Sequence, residues 1–539
     1  MIFTCASCSL ALIVASNECQ LDSINVLEPD NFIESEAGYT ETWNPNHPEL
    51  RCAGVAVIRR TINAKGLHLP SYVNFPELHF IVQGKGVLGI AIPGCPETYE
   101  EPQEPRQQQQ DRHQKVRYLN EGDIVAIPTG MPYWTYNYGD TPLVVITLLY
   151  TTSFQNQLDP IPRRFYLAGN PEEEHQETQK EHHKSKEGKN VFSGFEPEFL
   201  GESLNVNEGL AKKLQCPHDK RNHIIEVKRG LSIIIPPLEQ EQREEEEEHG
   251  HGHGQHKKEG EEEEVVEKET RTHRERHEGG RRHGGQGEEE EEKEVEEKHT
   301  RTRERKGGKG QHREEEEEEE EEVEHQEHHK EHKGKQGREE HGEKEEERNL
   351  LLENVCTLKL HENIANPSRA DFFNPRAGRI STINSFTLPI LKWLQLSAEW
   401  VYLYKNAIYA PHWNINSNSV IYVTRGEGHV QIVNCQGNSV FNGKIQKGQL
   451  LMVPQNFVLA KKAGSEGLEY IAFKTNDRAM ISILGGRSSA LSAIPAEVLQ
   501  NAFGLSPQEV SALKNNRNEG VLVSPSSRSK FQDAYITMV

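Results

Sequence analysis

The sequence predicts a mainly β protein made of two tandem antiparallel barrels, each followed by a small helical extension, with a disordered acidic insert between them. Three observations favour this fold class: strand and glycine-turn motifs that recur in the same order in both halves, a helical pattern that recurs after them, and a charged tract between the two copies. The length of 539 residues also exceeds what one hydrophobic core usually supports. We therefore expect two structured domains.

The strand motifs occur twice. LHFIVQGKGVLGI at residues 78–90 and VIYVTRGEGHVQIV at residues 420–433 each place β-branched and aromatic residues on both sides of a Gly-x-Gly. We predict a β-hairpin at each, with its turn at the glycines. Further along, GDIVAIP at residues 122–128 matches GQLLMVP at residues 448–454. Each of these predicts a glycine turn, a buried apolar strand and a proline that ends the strand.

A helical pattern follows the strands in both copies. Residues 198–214 align with residues 497–513 at a constant offset. The second pattern contains SPQE at residues 506–509, which predicts a capping box with proline at the first helical position. Three matches in one order favour a duplicated antiparallel barrel over two unrelated β domains that share turn chemistry.

Charge is distributed unevenly along the chain. Residues 239–348 consist mainly of Glu, His, Lys, Arg, Gly and Gln, with little apolar surface to offset the entropy of ordering, so we expect a disordered insert. Residues 350–539 hold 18 Lys and Arg against 12 Asp and Glu, a net charge of +6, which leaves −29 for the remainder of a chain whose total is −23. The basic residues of the second half are scattered, so we expect no nucleic-acid partner.

The first sixteen residues, MIFTCASCSLALIVAS, contain a short apolar run and then small residues before Asn17. This pattern is typical of a signal peptide at residues 1–16, although a basic start is missing and a frayed apolar N-terminus is the alternative. No later stretch approaches the roughly 20 apolar residues of a membrane span, so we expect no membrane partner. The predicted organisation is a first domain at residues 17–238, the insert at residues 239–348 and a second domain at residues 350–539.

The chain has eight cysteines, of which Cys5 and Cys8 belong to the predicted signal peptide. The other six are Cys19, Cys52, Cys95, Cys216, Cys356 and Cys435. None of their spacings forms a Cys-x-x-Cys metal or redox pair, so we expect structural thiols or disulfides in a secreted chain. The spacings alone leave the pairing open.

The repeated motifs resemble the two conserved boxes of the cupin superfamily, whose jelly-roll β-barrels often hold a catalytic metal through histidines and a glutamate. Four residues of the first copy fit the spacing of the second box: Gly122, Pro128, Gly130 and Asn137. The positions that would supply metal ligands in this copy hold Pro70, Tyr72, Glu77 and Tyr133. Of these four residues, Glu77 alone keeps the residue type that the resemblance requires.

In the second copy the same ligand positions hold His412, Asn414, Ser419 and Leu459. A catalytic metal generally needs three or more protein ligands, so a lone His412 is typical of a hydrogen-bonded barrel histidine. Other catalytic patterns are missing from the sequence, including G-x-S-x-G, the P-loop and H-E-x-x-H. We therefore expect no metal, no cofactor and no enzyme activity.

Longer strings resemble the legumin-type (11S) seed globulins over nearly all of residues 17–539 outside the acidic tract. They are NECQLDSINVLEP from Asn17, GLHLPSYVNFPELHFIVQGKG from Gly66, NPRAGRISTINSFTLPILKWLQLSAEW from Asn374 and NAIYAPHWNINSNSVIY from Asn406. The resemblance implies a seed storage protein that passes through the endoplasmic reticulum to the protein storage vacuole. It also implies trimers that become hexamers, built with the same or other globulin subunits.

The same resemblance implies the covalent features of the chain. It places two disulfides, Cys19–Cys52 and Cys95–Cys356. It also implies that an asparagine-specific protease cuts after Asn349, so that the second disulfide joins an acidic and a basic chain. Leu350 follows the cut, where the family usually has glycine. The resemblance assigns no role to Cys216 or Cys435, which we expect to be free buried thiols.

Other functions remain open from the sequence. His-rich pieces near residues 249–256 could chelate Zn²⁺ or Cu²⁺ loosely, which would suit a metal-chelating or stress-related binding protein. A metal-dependent cupin enzyme is a further alternative, and the ligand count argues against it. A vicilin-type storage globulin is the nearest relative to exclude, and the pair Cys95 and Cys356 with Asn349 between them argues against that family.

Overall fold

A computed structural model of the chain describes Cys19, Cys356 and residues 21–97, 99–100, 112–174, 188–216, 218–231 and 358–525. The predicted signal peptide at residues 1–16 and the predicted insert at residues 239–348 lie outside the described residues.

The first half of the chain contains fifteen described strands. Their bounds are β1 (Val26–Leu27), β2 (Asn31–Ser35), β3 (Gly38–Thr42), β4 (Val55–Ile62), β5 (Gly66–Val73), β6 (Glu77–Gln83), β7 (Gly86–Ile90), β8 (Tyr99–Glu100), β9 (Arg112–His113), β10 (Arg117–Leu119), β11 (Asp123–Ile127), β12 (Tyr133–Tyr136), β13 (Leu143–Tyr150), β14 (Arg164–Tyr166) and β15 (Ile224–Glu226). One sheet runs β11-β6-β13-β4-β3-β2 and the other runs β10-β7-β12-β5-β14, with β15 also on β5. All these pairs are antiparallel, and together they form the first barrel.

The second half contains eleven described strands. Their bounds are β16 (His361–Asn363), β17 (Phe372–Asn374), β18 (Gly378–Ile383), β19 (Ser397–Leu403), β20 (Ile408–Asn414), β21 (Ser419–Val433), β22 (Ser439–Gln446), β23 (Leu450–Val453), β24 (Val458–Lys474), β25 (Ile481–Ile483) and β26 (Leu522–Val523). The order is β23-β21-β24-β19-β18-β17, with β20 on β24 and β22 on β21. The strands β21 and β24 are 15 and 17 residues long, so both continue around the second barrel. The second barrel is therefore formed by one continuous sheet, whereas the first barrel is formed by two.

The glycine-turn and apolar-strand motifs form the strands that the sequence predicts. Every residue of β11 and of β23 is buried, and a proline follows each strand. The turn glycines Gly122 and Gly448 have φ values of 86° and 89°, in the left-handed region where a side chain would strain the backbone. The prediction of a glycine turn followed by a buried strand is confirmed in both halves.

The two predicted Gly-x-Gly hairpins are wrong. β6 pairs with β11 and β13, whereas β7 pairs with β10 and β12, so the chain passes from one sheet to the other at Gly84. In the second barrel the glycines lie within the continuous strand β21, and Gly426 has a φ of 75°. A side chain at Gly84 would lie 2.6 Å from the carbonyl oxygen of Pro142. The glycines therefore permit a bend and a close backbone approach in place of a chain reversal.

The two barrels exchange short strands. The strand before the first barrel pairs with a strand of the second barrel, and the strand before the second barrel pairs with a strand of the first. The strand β1 pairs with β23, where Val26 lies opposite Leu451. Reciprocally, β16 pairs with β11, where Glu362 lies opposite Ile124. The buried apolar side chains of the two barrels also form one continuous cluster. The two halves are therefore joined by backbone hydrogen bonds and by a shared core.

The helical extensions form as predicted. The described α-helices are α1 (Pro48–Ala53), α2 (Pro197–Leu204), α3 (Glu208–Leu214), α4 (Leu391–Leu394), α5 (Ala490–Ala493), α6 (Ala496–Phe503) and α7 (Pro507–Asn515). Asn207 caps α3, and Ser506 with Glu509 forms the predicted capping box at the start of α7. Two 3₁₀ turns lie at Val191–Gly194 and Pro367–Arg369. Among the described residues, no helix has the length and apolar character needed to cross a bilayer.

Candidate functional site

The metal-ligand positions of the first barrel do not converge. Glu77 at the start of β6 and Tyr133 at the start of β12 are buried. Pro70 and Tyr72 on β5 are half-buried, and the Tyr72 ring stacks on Phe165 with ring centroids 5.0 Å apart. Three of the four positions therefore hold residues that cannot take the place of the expected histidines: Pro70, Tyr72 and Tyr133.

Two arginines and two glutamates fill the space where the family would hold a metal. Arg164 donates hydrogen bonds to Glu77 at 2.5 Å, to Glu174 at 2.9 Å and to the Tyr133 hydroxyl at 3.0 Å. Arg60 donates to the other oxygen of Glu174 at 2.5 Å. All four charged groups are buried. Because their charges balance, the cluster is electrically neutral without a metal ion.

The arginines keep both carboxylates ionised. Burial is the largest single effect on Glu77 and by itself would raise its pKa, but the charge of Arg164 together with the effects of His79 and Arg60 lowers that pKa to about 2. Burial likewise opposes ionisation of Glu174, and the charges of Arg164 and Arg60 hold its pKa well below the usual value. Ionised carboxylates beside two guanidinium groups are already committed to strong hydrogen bonds.

Three buried histidines surround this cluster and are held neutral. Burial is the main cause that lowers the pKa of His68, His79 and His223, the last to about 4. His223 forms a 2.6 Å hydrogen bond with the Thr40 hydroxyl. His68 packs on Tyr133, and neither of its ring nitrogens has a hydrogen-bond partner. Among the described residues, no three His, Cys, Asp or Glu side chains are placed to hold a metal ion.

The second barrel keeps one imidazole of its four metal-ligand positions. His412 is fully buried, donates from Nδ1 to the carbonyl oxygen of Ala410 at 2.7 Å and stacks on Tyr409. The prediction of a hydrogen-bonded barrel histidine is confirmed. Asn414 accepts a 2.8 Å hydrogen bond from Lys474, and Leu459 lies opposite His412 in the ladder between β20 and β24. Neither Asn414 nor Leu459 can therefore act as a second imidazole ligand beside His412.

Two lysines and one glutamate replace the cluster of the first barrel. The Lys474 amine lies 3.4 Å from Glu399. The Lys461 amine lies 4.4 Å from the Tyr409 ring centroid and 5.0 Å from the Tyr470 ring centroid. Burial lowers the pKa of Lys461 to about 7, against the opposing effect of the Glu399 charge. A cleft beside Glu399 and Lys474 has a volume of about 60 Å³, far below the roughly 300 Å³ of small-molecule pockets.

Local sequence patterns indicate these buried charged groups only weakly. Arg59 and Arg60 interrupt the apolar run at the start of the strand sequence VAVIRRTI, and Lys461 and Lys462 do the same in VLAKKAG. A charged residue in a run of buried strand residues is the one signal that could have identified them. The partners could not be predicted, because Glu174 lies 114 residues from Arg60 in the chain.

A model of the cupin family matches residues 24–173 and 362–511, one match in each barrel. Glycinin G4 of Glycine max is 53% identical, and the match covers 98% of each chain. Legumin J of Pisum sativum is 52% identical over 95% of this chain and 94% of that protein. The chain belongs to the legumin-type (11S) globulins of the cupin family. Two barrels of this family are therefore confirmed as the fold.

Solved 11S globulin structures agree with this assignment. Procruciferin, an 11S globulin from Brassica napus, matches with a TM-score of 0.70 and 33% identity over 95% of this chain and 99% of that one. The crystal structure of pumpkin seed globulin matches with a TM-score of 0.68 and 35% identity over 94% and 100% of the two chains. A vicilin from Corylus avellana is only 12% identical, with a TM-score of 0.56, and shares the fold alone.

The cysteines of this 11S globulin lie in three environments. The structure contains the disulfides Cys19–Cys52 and Cys95–Cys356, with Cα atoms 4.8 and 5.5 Å apart. Cys216 and Cys435 are free, as expected, but they are not buried: Cys216 is half-buried and Cys435 is exposed. Cys435 lies in the turn between β21 and β22, where no core side chains cover it. Asn349 and Leu350 lie outside the described residues.

Proposed function

We propose that this protein is a seed storage globulin, kept as a reserve of amino acids and nitrogen. The observation that carries the proposal is the similarity to glycinin and legumin over 95% or more of the chain. Composition agrees with it, because the chain has only 5 Met among its 539 residues and a long tract rich in the nitrogen-bearing side chains of Arg, His and Gln.

A storage role without catalysis is supported by the chemistry of the two barrels. In the first barrel the carboxylates are engaged by Arg60 and Arg164, and in the second the family's ligand positions supply the single imidazole of His412. Neither arrangement provides the open coordination position that a metal-dependent cupin enzyme needs. We therefore propose that the protein has no cofactor and no enzyme activity.

Processing after Asn349 would divide the chain between its two barrels. The part after the cut has a net charge of +6 and the part before it −29. An asparagine-specific protease would thus produce a basic and an acidic chain, and the Cys95–Cys356 disulfide would join them. The route implied is the secretory pathway to the protein storage vacuole, after removal of residues 1–16.

Assembly into trimers and then hexamers is supported by apolar side chains on the two helical extensions. Phe199 on α2 is 59% exposed, and Phe503 on α6 is 61% exposed. Exposed apolar patches of this kind mark contact surfaces in soluble proteins. The two extensions belong to equivalent but different halves, so contact of one with the other would be head-to-tail and could close a ring.

Processing is tested by electrophoresis of protein purified from seed, under denaturing conditions with and without reductant. We expect one large band that reduction splits into an acidic and a basic chain, the basic one beginning at Leu350. A chain that stays whole after reduction would contradict cleavage and hexamer formation.

Assembly is tested with Phe503→Asp, measured by light scattering of the unprocessed protein. We expect a trimeric mass for the parent chain and a monomeric mass for Phe503→Asp, since the charge would be buried at the contact. Phe386→Asp, which changes a phenylalanine that is 73% exposed and belongs to neither extension, is the matched control. An unchanged mass for Phe503→Asp would contradict the proposed contact.

A further inference from the structure

The segment after β14 carries one glutamate into the first barrel. Glu172, Glu173 and Glu174 follow one another, and only Glu174 is buried, with an exposed fraction of 5%. Its carbonyl oxygen accepts hydrogen bonds from the Thr42 hydroxyl at 3.1 Å and from the Asn31 amide at 3.4 Å. The main chain is thus fixed against β2 and β3 in a position from which this side chain enters the barrel.

Three donors receive the Glu174 carboxylate. Arg60 contacts one oxygen at 2.5 Å and the Tyr166 hydroxyl donates to the same oxygen at 3.1 Å, while Arg164 contacts the other oxygen at 2.9 Å. Two guanidinium groups on different strands, each engaging a different oxygen, recognise the shape as well as the charge of a carboxylate. The donors belong to β4 and β14, so the barrel positions them independently of Glu174.

The barrel would carry an unbalanced charge without this glutamate. Arg60 and Arg164 would then face one carboxylate, that of Glu77. The Arg60 Nε and both ring nitrogens of His68 are buried and already lack hydrogen-bond partners. A buried cation without a counter-ion is strongly destabilising, so an anion that reached these donors would be bound.

We infer that the first barrel is a binding site for a small carboxylate, and that the chain occupies this site with its own Glu174. A free monocarboxylate of the size of acetate should take the same donors when the Glu174 side chain is removed. The opposing interpretation is that Glu174 is one partner of a structural ion pair whose place no free ligand can take.

The experiment compares Glu174→Ala with Glu173→Ala, which removes an exposed carboxylate from the same segment. Thermal unfolding of the full chain is followed at neutral pH in sodium acetate and in sodium chloride of equal ionic strength, with acetamide as the uncharged analogue of acetate. We expect acetate to raise the Tm of Glu174→Ala in a saturable manner, by more than about 2 °C relative to chloride, and to leave Glu173→Ala and the parent chain unshifted. Acetamide should have no effect.

A second variant identifies the donors. Arg60→Met in the Glu174→Ala background restores charge balance, so it should fold without acetate and lose the acetate shift. If Glu174→Ala does not fold in chloride, recovery of folded protein on refolding in acetate supports the inference. Equal stabilisation by acetate and chloride, or a Glu174→Ala chain that stays unfolded in both salts, would overturn it.

Discussion

Arg59 of the first barrel and Trp400 of the second occupy equivalent positions, and each packs on the opposite barrel. Arg59 on β4 donates a 2.8 Å hydrogen bond to the Tyr422 hydroxyl on β21. Trp400 on β19 contacts Phe80 on β6 edge-to-face, with ring centroids 5.4 Å apart. A side chain at the turn glycine Gly122 would lie 3.1 Å from Trp400, and one at Gly448 would lie 3.2 Å from Arg59. The two contacts are therefore related by the duplication, although the residue types differ.

Loss of the Trp400 ring should weaken the association of the barrels. We expect Trp400→Ala to lower the free energy of unfolding by about 3 to 5 kcal/mol, because the ring is buried against Phe80 and its indole N–H donates to Glu469 at 3.1 Å. Urea unfolding measures the change. Phe386→Ala, at a ring that is 73% exposed and contacts the Arg478 guanidinium, should change it by less than about 1 kcal/mol. Similar costs for the two variants would contradict the role given to Trp400.

The reciprocal strand pairs should hold the two chains together after processing. In β16 and its flanks, the Leu360 oxygen accepts from Ala126 N–H at 2.8 Å, and Ile364 N–H donates to the Gly122 oxygen at 3.0 Å. Leu360 is also fully buried. We expect that protein cut between Asn349 and Leu350, then reduced without denaturant, remains one particle in size-exclusion chromatography.

The cut is made by inserting a recognition site for a specific protease between these two residues. In denaturant the chains should separate only when reductant is present, which reports on the Cys95–Cys356 disulfide. If the two chains separate in reductant without denaturant, the disulfide and not the reciprocal strand pairs holds the barrels together.

The duplicated barrels could be predicted from sequence because their signals are local. A glycine turn, a buried strand and a proline lie within seven residues in both halves, and the Ser506 capping box lies within four. Strand pairing, in contrast, joins residues that are far apart in the sequence. The predicted hairpin at Gly84 was wrong because the pattern shows that strands flank the glycines but does not show which strands they pair with.

The candidate site also combines features that local sequence shows with contacts between residues distant in the chain. The loss of the metal ligands was visible from residue types alone, whereas the ion pairs that replace them join residues distant in the chain, such as Arg164 and Glu77, which are 87 residues apart. The half-buried and exposed states of Cys216 and Cys435 follow from their places in turns, which the general tendency of free cysteines to be buried does not indicate.

Acid should destabilise the fold through its buried histidines. The pKa of His223 is about 4 in the folded protein, below the ordinary value of 6.5, so the unfolded chain binds a proton first as the pH falls. Stability from this group is complete above pH ~6.5 and declines between pH ~6.5 and ~4. The carboxylates do not offset the decline, because the pKa values of Glu77 and Glu174 are also lowered, so their contribution to stability is lost as the pH falls below the ordinary Glu pKa of 4.5.

His223→Gln isolates this contribution, because an amide can keep the hydrogen bond to Thr40. Between pH ~7.5 and ~5 we expect the variant to lose about 2 kcal/mol less of its free energy of unfolding than the parent. His429→Gln, at an exposed position of β21, is the control and should follow the parent. Parallel curves for parent and His223→Gln would show that this histidine is not held neutral by burial.

Alkaline pH should stabilise the second barrel through Lys461. Burial places the pKa of this amine at about 7, against an ordinary value of 10.5, so between these values the unfolded chain binds the proton and the folded chain does not. The free energy of unfolding then rises with pH over this range, and Lys461 contributes about 2 to 3 kcal/mol of the rise between pH ~7.5 and ~9.5. Lys461→Met keeps the side-chain volume and removes the titrating group. Lys461→Met should be more stable than the parent at pH ~7.5, and its free energy of unfolding should rise by about 2 to 3 kcal/mol less than that of the parent between pH ~7.5 and ~9.5. Lys462→Met, at the exposed neighbouring residue, is the control and should show the same rise in the free energy of unfolding as the parent. An equal rise in the parent and both variants would show that the Lys461 amine remains protonated between Tyr409 and Tyr470.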